Sequence, residues 1–146
     1  MEEKTLKTLE FNKIREMLSE LCINNDAKDF AMQLEPQNDI KTVKRLLQDT
    51  DDAVVCVCKF GAPPIARISS VVPAIKRTAI GGSLSAAELL NIASLLKCVT
   101  RLKKYEGTID DNPIANYFNI LVPCVDVEKE ISSAIISEEE ISDNAS

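Results

Sequence analysis

Apolar residues recur at spacings of three and four along most of this chain, and that spacing leaves little room for any architecture but helices. Phe11, Ile14, Leu18 and Leu21 fall on one stripe of a helix over about residues 5–22. Val43, Leu46, Leu47, Val54 and Val57 mark one face of a longer helix that ends near Lys59. The Val54–Cys58 run has strand propensity, but the period is continuous from Val43 and favours helix. Leu89, Ile92, Ala93, Leu96 and Val99 form a third stripe.

The boundaries between stripes carry their own chemistry. Asn25 reads as the N-cap of a second helix that ends near Leu34, before Glu35-Pro36. Asp39 can cap the long helix. Gly61 reads as its C-cap, and Pro63-Pro64 cannot continue it. A short helix over about Val71–Ala79 follows, with Pro73 in its first turn. Ser85-Ala-Ala-Glu88 is a capping box ahead of the helix that should run to about Tyr105 and stop at Gly107. Asn112 and Pro113 restart a helix, Pro123 interrupts it, and a last one covers about Val127–Ala134. The tail around Glu138–Glu140 reads either as a small hairpin or as frayed chain. The expectation is an all-α fold of about seven helices in an irregular bundle, forming one domain over residues 1–146.

Gly81-Gly82, just ahead of Ser85, raises the question of a phosphate site. A phosphate-binding loop needs a lysine directly after its second glycine, and a strand before it. Here Ser83-Leu84-Ser85 follows and no apolar strand precedes. The glycines are expected to supply a positive-φ turn that folds two helices back on each other.

The 146 residues include no histidine, so the commonest general base and transition-metal ligand are missing. Asp49, Asp51 and Asp52, then Asp110 and Asp111, then Glu138–Glu140, alternate round helices or lie in loops, and are expected to be solvated. Cys22, Cys56, Cys58, Cys98 and Cys124 are odd in number, and residues 1–20 carry charges throughout where a secretory leader would be apolar. The thiols are read as reduced and the chain as cytoplasmic. Cys56 and Cys58 point to different sides of a helix and make no chelate pair. No run is long enough to span a membrane. No catalytic constellation, metal site or cofactor site is expected within these residues.

The net charge of −6 is unevenly spread. Residues 61–106 hold seven Lys/Arg against two Asp/Glu, whereas residues 107–146 hold one against nine. An acidic chain is a poor free-standing nucleic-acid binder, so any contact with a polyanion falls to the middle block. Its members are Arg67, Lys76, Arg77, Lys97, Arg101, Lys103 and Lys104. The bland reading of these is a solvated basic face. The structural residues singled out are Gly81, Gly82, Ser85, Glu88, Leu89, Ile92, Leu96 and Val99.

Three stretches, "KTLKTLEFNKIREML", "AIGGSLSAAELLNIASLLK" and "EISDNAS", together with Leu34-Glu35-Pro36, resemble the N-terminal region of the second bacterial branch of the MutS family, the MutS-two proteins. The resemblance implies a helical core segment of a longer, DNA-binding ATPase with a C-terminal nuclease domain. Such proteins are linked to DNA repair, control of recombination and stalled ribosomes. ATP and magnesium would belong to the parent, as would homodimer formation and the clamp around DNA; none of their binding motifs lies in this chain. The expected role here is non-catalytic: packing against the parent's remaining domains and relaying ATPase state to the clamp. The alternative is a stand-alone helical module that docks partner helices.

Overall fold

The computed structural model describes residues 6, 8–111, 113–140 and 142. Seven helices run through them: α1 (Phe11–Leu21), α2 (Asn25–Met32), α3 (Ile40–Phe60), α4 (Val72–Thr78), α5 (Ala86–Glu106), α6 (Ala115–Asn119) and α7 (Val125–Ala134). The all-α expectation holds. The residues group into two compact units, Met1–Leu47 and Gln48–Ser146, and the division falls within α3.

Several helix ends depart from the sequence reading, each for a local reason. The helix expected from about residue 5 is broken at Glu10, which sits at φ 54°, in the left-handed region that a right-handed helix excludes; Leu6 and Thr8 are helical before the break, and α1 begins at Phe11. In α2, Asn25 is already helical, and the extended residue before it is Asn24. α6 starts at Ala115 after Ile114, so Pro113 precedes the helix and is not in its first turn. Asn112, expected as its cap, lies outside the described residues, as do Ile141 and residues 143–146 of the tail. α7 begins at Val125, directly after Pro123-Cys124. Other signals acted as read. Asp39 Oδ2 accepts from the Thr42 N–H and Thr42 hydroxyl, each at 2.8 Å, which opens α3. Gly61, at φ 82°, closes it. At the C-terminal end the chain turns back: Ile136 N–H donates to Glu140 O at 3.0 Å, and Ser142 N–H donates to Ala134 O at 2.8 Å. That is the hairpin reading of the tail.

In the first unit α1 packs on α2. The Arg15 guanidinium lies 4.9 Å over the Phe11 ring, and Ala31 is buried. In the second unit α5 packs on α7 and, less extensively, on α6. Val71, Ala74, Ala93, Cys98, Ile109, Phe118 and Ile135 are buried there, and the Tyr105 and Phe118 rings lie 6.2 Å apart. Leu89, Ile92, Leu96 and Val99 are half-buried.

A third element covers α5. Residues 61–70 form no regular structure, yet they run antiparallel along it. The Tyr105 hydroxyl donates to Gly61 O at 2.7 Å, and the Cys98 thiol reaches Pro64 O at 3.6 Å. The Asn91 amide both donates to Ser69 O at 2.9 Å and accepts from Ser69 N–H at 3.3 Å. Residues 91, 98 and 105 are seven apart, so they share one helix face. Fourteen helical residues rise about 21 Å. Eight residues of polyproline-like chain span about 25 Å, so the strap is drawn nearly straight. Pro63 and Pro64 suit this, since they are stiff and have no N–H to satisfy.

Candidate functional site

The turn between α4 and α5 gathers the densest polar network among the described residues. Ser85 takes extended backbone, and its Oγ accepts from Glu88 N–H at 3.3 Å. The Glu88 carboxylate accepts in return from Ser85 N–H at 2.9 Å, completing the capping box. The Arg77 guanidinium reaches back from the end of α4. It donates to both Glu88 oxygens at 2.6 Å and to Ser83 O at 3.3 Å. One carboxylate therefore serves the N-terminus of α5 and a cation from the preceding helix.

The two glycines have different jobs. Gly81 takes φ 87°, the positive-φ turn expected of the pair. Gly82 does not; it is needed for close approach. A Cβ there would stand 2.6 Å from Arg77 Cγ and 2.8 Å from Arg77 O. Gly82 N–H donates to that same carbonyl at 2.9 Å, which is what brings the two backbones together.

This arrangement answers the phosphate question in chemical terms. A helix N-terminus attracts an anion, and here Glu88 already supplies one. The Arg77 bond, then the Ser85 N–H, lower the Glu88 pKa to about 2. The nearby cation is engaged by the same carboxylate. Beside the clasp lies a depression of about 360 Å³ lined by Ser69, Ser70, Ala87, Glu88, Asn91 and Glu138. Its two carboxylates repel a phosphate.

The seven basic candidates separate into groups. Arg77 is held in the clasp, and Lys103 pairs with Glu106. Lys97, Arg101 and Lys104 stand exposed on α5 at i, i+4 and i+7, which makes one ridge about 10 Å long. Arg67 is exposed on the strap, between its anchors at Pro64 and Ser69, and so lies alongside the N-terminal half of α5. Lys76 is exposed on α4. The strap itself was not legible as a partner of α5, since nothing in its sequence names Asn91, Cys98 and Tyr105.

The thiols do not converge into a site. All five are free; Cys56 and Cys98 are buried, whereas Cys58 and Cys124 are exposed. Burial, and then the neighbouring Cys56, push the Tyr105 phenol upward, so Tyr105 stays a neutral donor to the strap. Among the described residues no three metal-ligating side chains gather. No helix among them is long and apolar enough to cross a membrane.

No family model matches this chain. It is, however, similar over its full length to Endonuclease MutS2 of several bacteria. It is 36% identical over 150 residues to that of Ruminiclostridium cellulolyticum and 38% identical over 151 to that of Acetivibrio thermocellus. For Finegoldia magna the figure is 37% over 151. In each case the whole of this chain aligns with 19% of the relative, so it spans about a fifth of their length. The resemblance read from the sequence is shown for the whole chain.

Two outcomes check the clasp. Gly82→Ala should destabilise the second unit by about 1–3 kcal/mol, because it forces Arg77 and its carbonyl away; Gly81→Ala strains φ alone and should cost about 1–2 kcal/mol. Urea titrations of both variants measure this, and only Gly82→Ala should also release the Arg77 side chain. The second outcome concerns pH. The folded pKa of Glu88 lies below its ordinary 4.5, so its stabilisation is complete above that value and fades as pH falls toward about 2. The urea midpoint should drop over that window, and Glu88→Gln should flatten the drop while lowering the midpoint at neutral pH.

Proposed function

We propose that this chain is the N-terminal core segment of a MutS2-type protein, a DNA-binding ATPase and endonuclease of DNA repair, recombination control or ribosome rescue in the cytoplasm. The segment performs no catalysis. It packs against the remaining domains and carries the state of the ATPase to the clamp that encloses nucleic acid. ATP and magnesium act elsewhere in the parent.

The observation that carries this reading is surface that the described residues leave uncovered, in a chain matching one fifth of its relatives. Ile80 is 86% exposed at the turn before α5, and Ile120 is 77% exposed after α6. Val122, two residues after Ile120, is exposed as well. Isolated exposed apolar residues are ordinary, but groups of large ones mark surfaces that partners cover. α5 supplies the stiff member, clamped by α6, α7 and the strap.

The packing role is tested with the complementary four-fifths of the Acetivibrio thermocellus relative, expressed without the aligned segment. Calorimetry should detect binding of this chain, and Ile80→Asp with Ile120→Asp should weaken it at least about tenfold. Absence of binding, with both partners folded by circular dichroism, rejects the packing role.

Within this reading the ridge Lys97, Arg101 and Lys104 is the surface that meets phosphate, with Arg67 beside it. The three cations are unopposed by acids on their own face of α5. The log–log salt slope of duplex binding should shrink by about 0.9 for each phosphate that is no longer neutralised, so about 2–3 for the triple change to glutamine. A slope that does not change removes the ridge from the interface.

A further inference from the structure

The strap and the basic ridge flank a narrow gap on α5. Asn91 and Cys98 carry the strap, Lys97 and Arg101 open the ridge, and Ser94 stands between the two lines. Ser94 is three residues after Asn91, three before Lys97 and four before Cys98, so it is a helix neighbour of both lines. It is exposed, and its small side chain leaves the gap open with a hydroxyl at the floor. Pro64 O meets the Cys98 thiol and Ser69 meets the Asn91 amide, so Arg67 passes at about the level of Ser94. Ala66 and Ile68 on either side of it are half-buried, whereas Arg67 is exposed.

The charges on the two sides of this gap are alike. Among the described residues no ion pair holds Arg67, Lys97, Arg101 or Lys104. Residues 61–70 contain no acid, so Arg67 repels the ridge. The carboxylates of Glu88 and Glu138 line the depression at Ser69, Ser70 and Asn91. They turn an anion away from that end of the strap and leave it the place over Ser94. An anion there converts the repulsion across the gap into attraction on both sides. The strap is also lightly held. Its anchors on α5 are side-chain bonds to its backbone, and Ala62, Pro64, Ile65 and Arg67 are exposed. A segment held in this way opens locally at low cost. Cys98 is buried, with its thiol against Pro64 O, so it reports such opening.

We propose that a phosphodiester of a nucleic-acid backbone sits over Ser94, between Arg67 of the strap and Lys97 and Arg101 of α5, and that its binding fastens the strap to the helix. Arg67 supplies a planar fork for two phosphate oxygens, Lys97 a point charge, and Ser94 a hydroxyl donor. The ridge continues to Lys104, so it takes a chain of phosphates and not a single one. The site rests on the reading of the ridge as a phosphate surface. It adds the position of one phosphate and a mechanical consequence: the strap lifts less often when nucleic acid is bound.

Labelling of the whole chain with N-ethylmaleimide tests this, read at Cys98 by mass spectrometry against the exposed Cys58 as internal standard. Without ligand, Tyr105→Phe and Asn91→Ala should each speed Cys98 labelling at least about fivefold. The rate should change little with urea below the unfolding transition, as local opening requires. A DNA duplex of about 24 base pairs, at saturation by fluorescence anisotropy, should slow it about tenfold. Arg67→Gln should remove that protection while the ridge still binds the duplex. Arg67→Glu should slow labelling about threefold with no duplex present, since the strap is then drawn to Lys97. Inorganic phosphate at about 1 mM should protect less than about twofold, because it cannot extend along the ridge. A duplex that binds without protecting Cys98 overturns the strap site and leaves the ridge reading standing; so does protection that survives Arg67→Gln. Labelling indifferent to both anchor variants, or protection by inorganic phosphate equal to that by the duplex, also overturns it. A duplex that does not bind at all removes the site and the ridge reading together.

Discussion

The second unit depends on how one carboxylate is used. Glu88 caps the first turn of its own helix and holds the guanidinium of the helix before it. The two bonds fix where α5 begins and how α4 approaches it. A neutral residue could perform the first task weakly and the second hardly at all, because charge-assisted bonds are the stronger kind. Gly82 belongs to the same device, since Arg77 and its carbonyl lie where a side chain would be.

Once α5 is started, its length does the rest. At 21 residues it is long enough to take α6 and α7 on one side and the strap 61–70 on another. The strap is anchored by Tyr105, Cys98 and Asn91, and Asn91 engages both a donor and an acceptor of its backbone. What remains of the helix surface is the strip bearing Lys97, Arg101 and Lys104. The basic ridge is thus part of what packing leaves over, with Ala87 and Ser94 exposed on the same helix toward its N-terminus.

The apolar surface follows the opposite logic. Where α1 and the turns at Ile80 and Ile120 expose large side chains, the sequence is prepared for packing that the described residues do not provide. The chain spans about a fifth of the length of the curated relatives it matches. The proposed segment role assigns a cover to the faces at Ile80 and Ile120.

Much of this could be read along the chain. Helix type and number follow from three-and-four spacing, and the Ser85–Glu88 box and the Asp39 cap follow from residue chemistry within one turn. These are local: both partners lie within four residues, so the sequence contains the whole interaction. The start of α1 was missed because no rule places a glutamate at φ 54°. The double role of Glu88, the steric need for Gly82 and the partnering of the strap with α5 were decided by the tertiary structure alone. Each joins residues that are distant along the chain or separated by a turn, and their meeting depends on where every intervening turn sends the backbone. The sequence by itself determined which segments are helical and which faces are apolar. Only the fold determined which charges engage each other and which face outward.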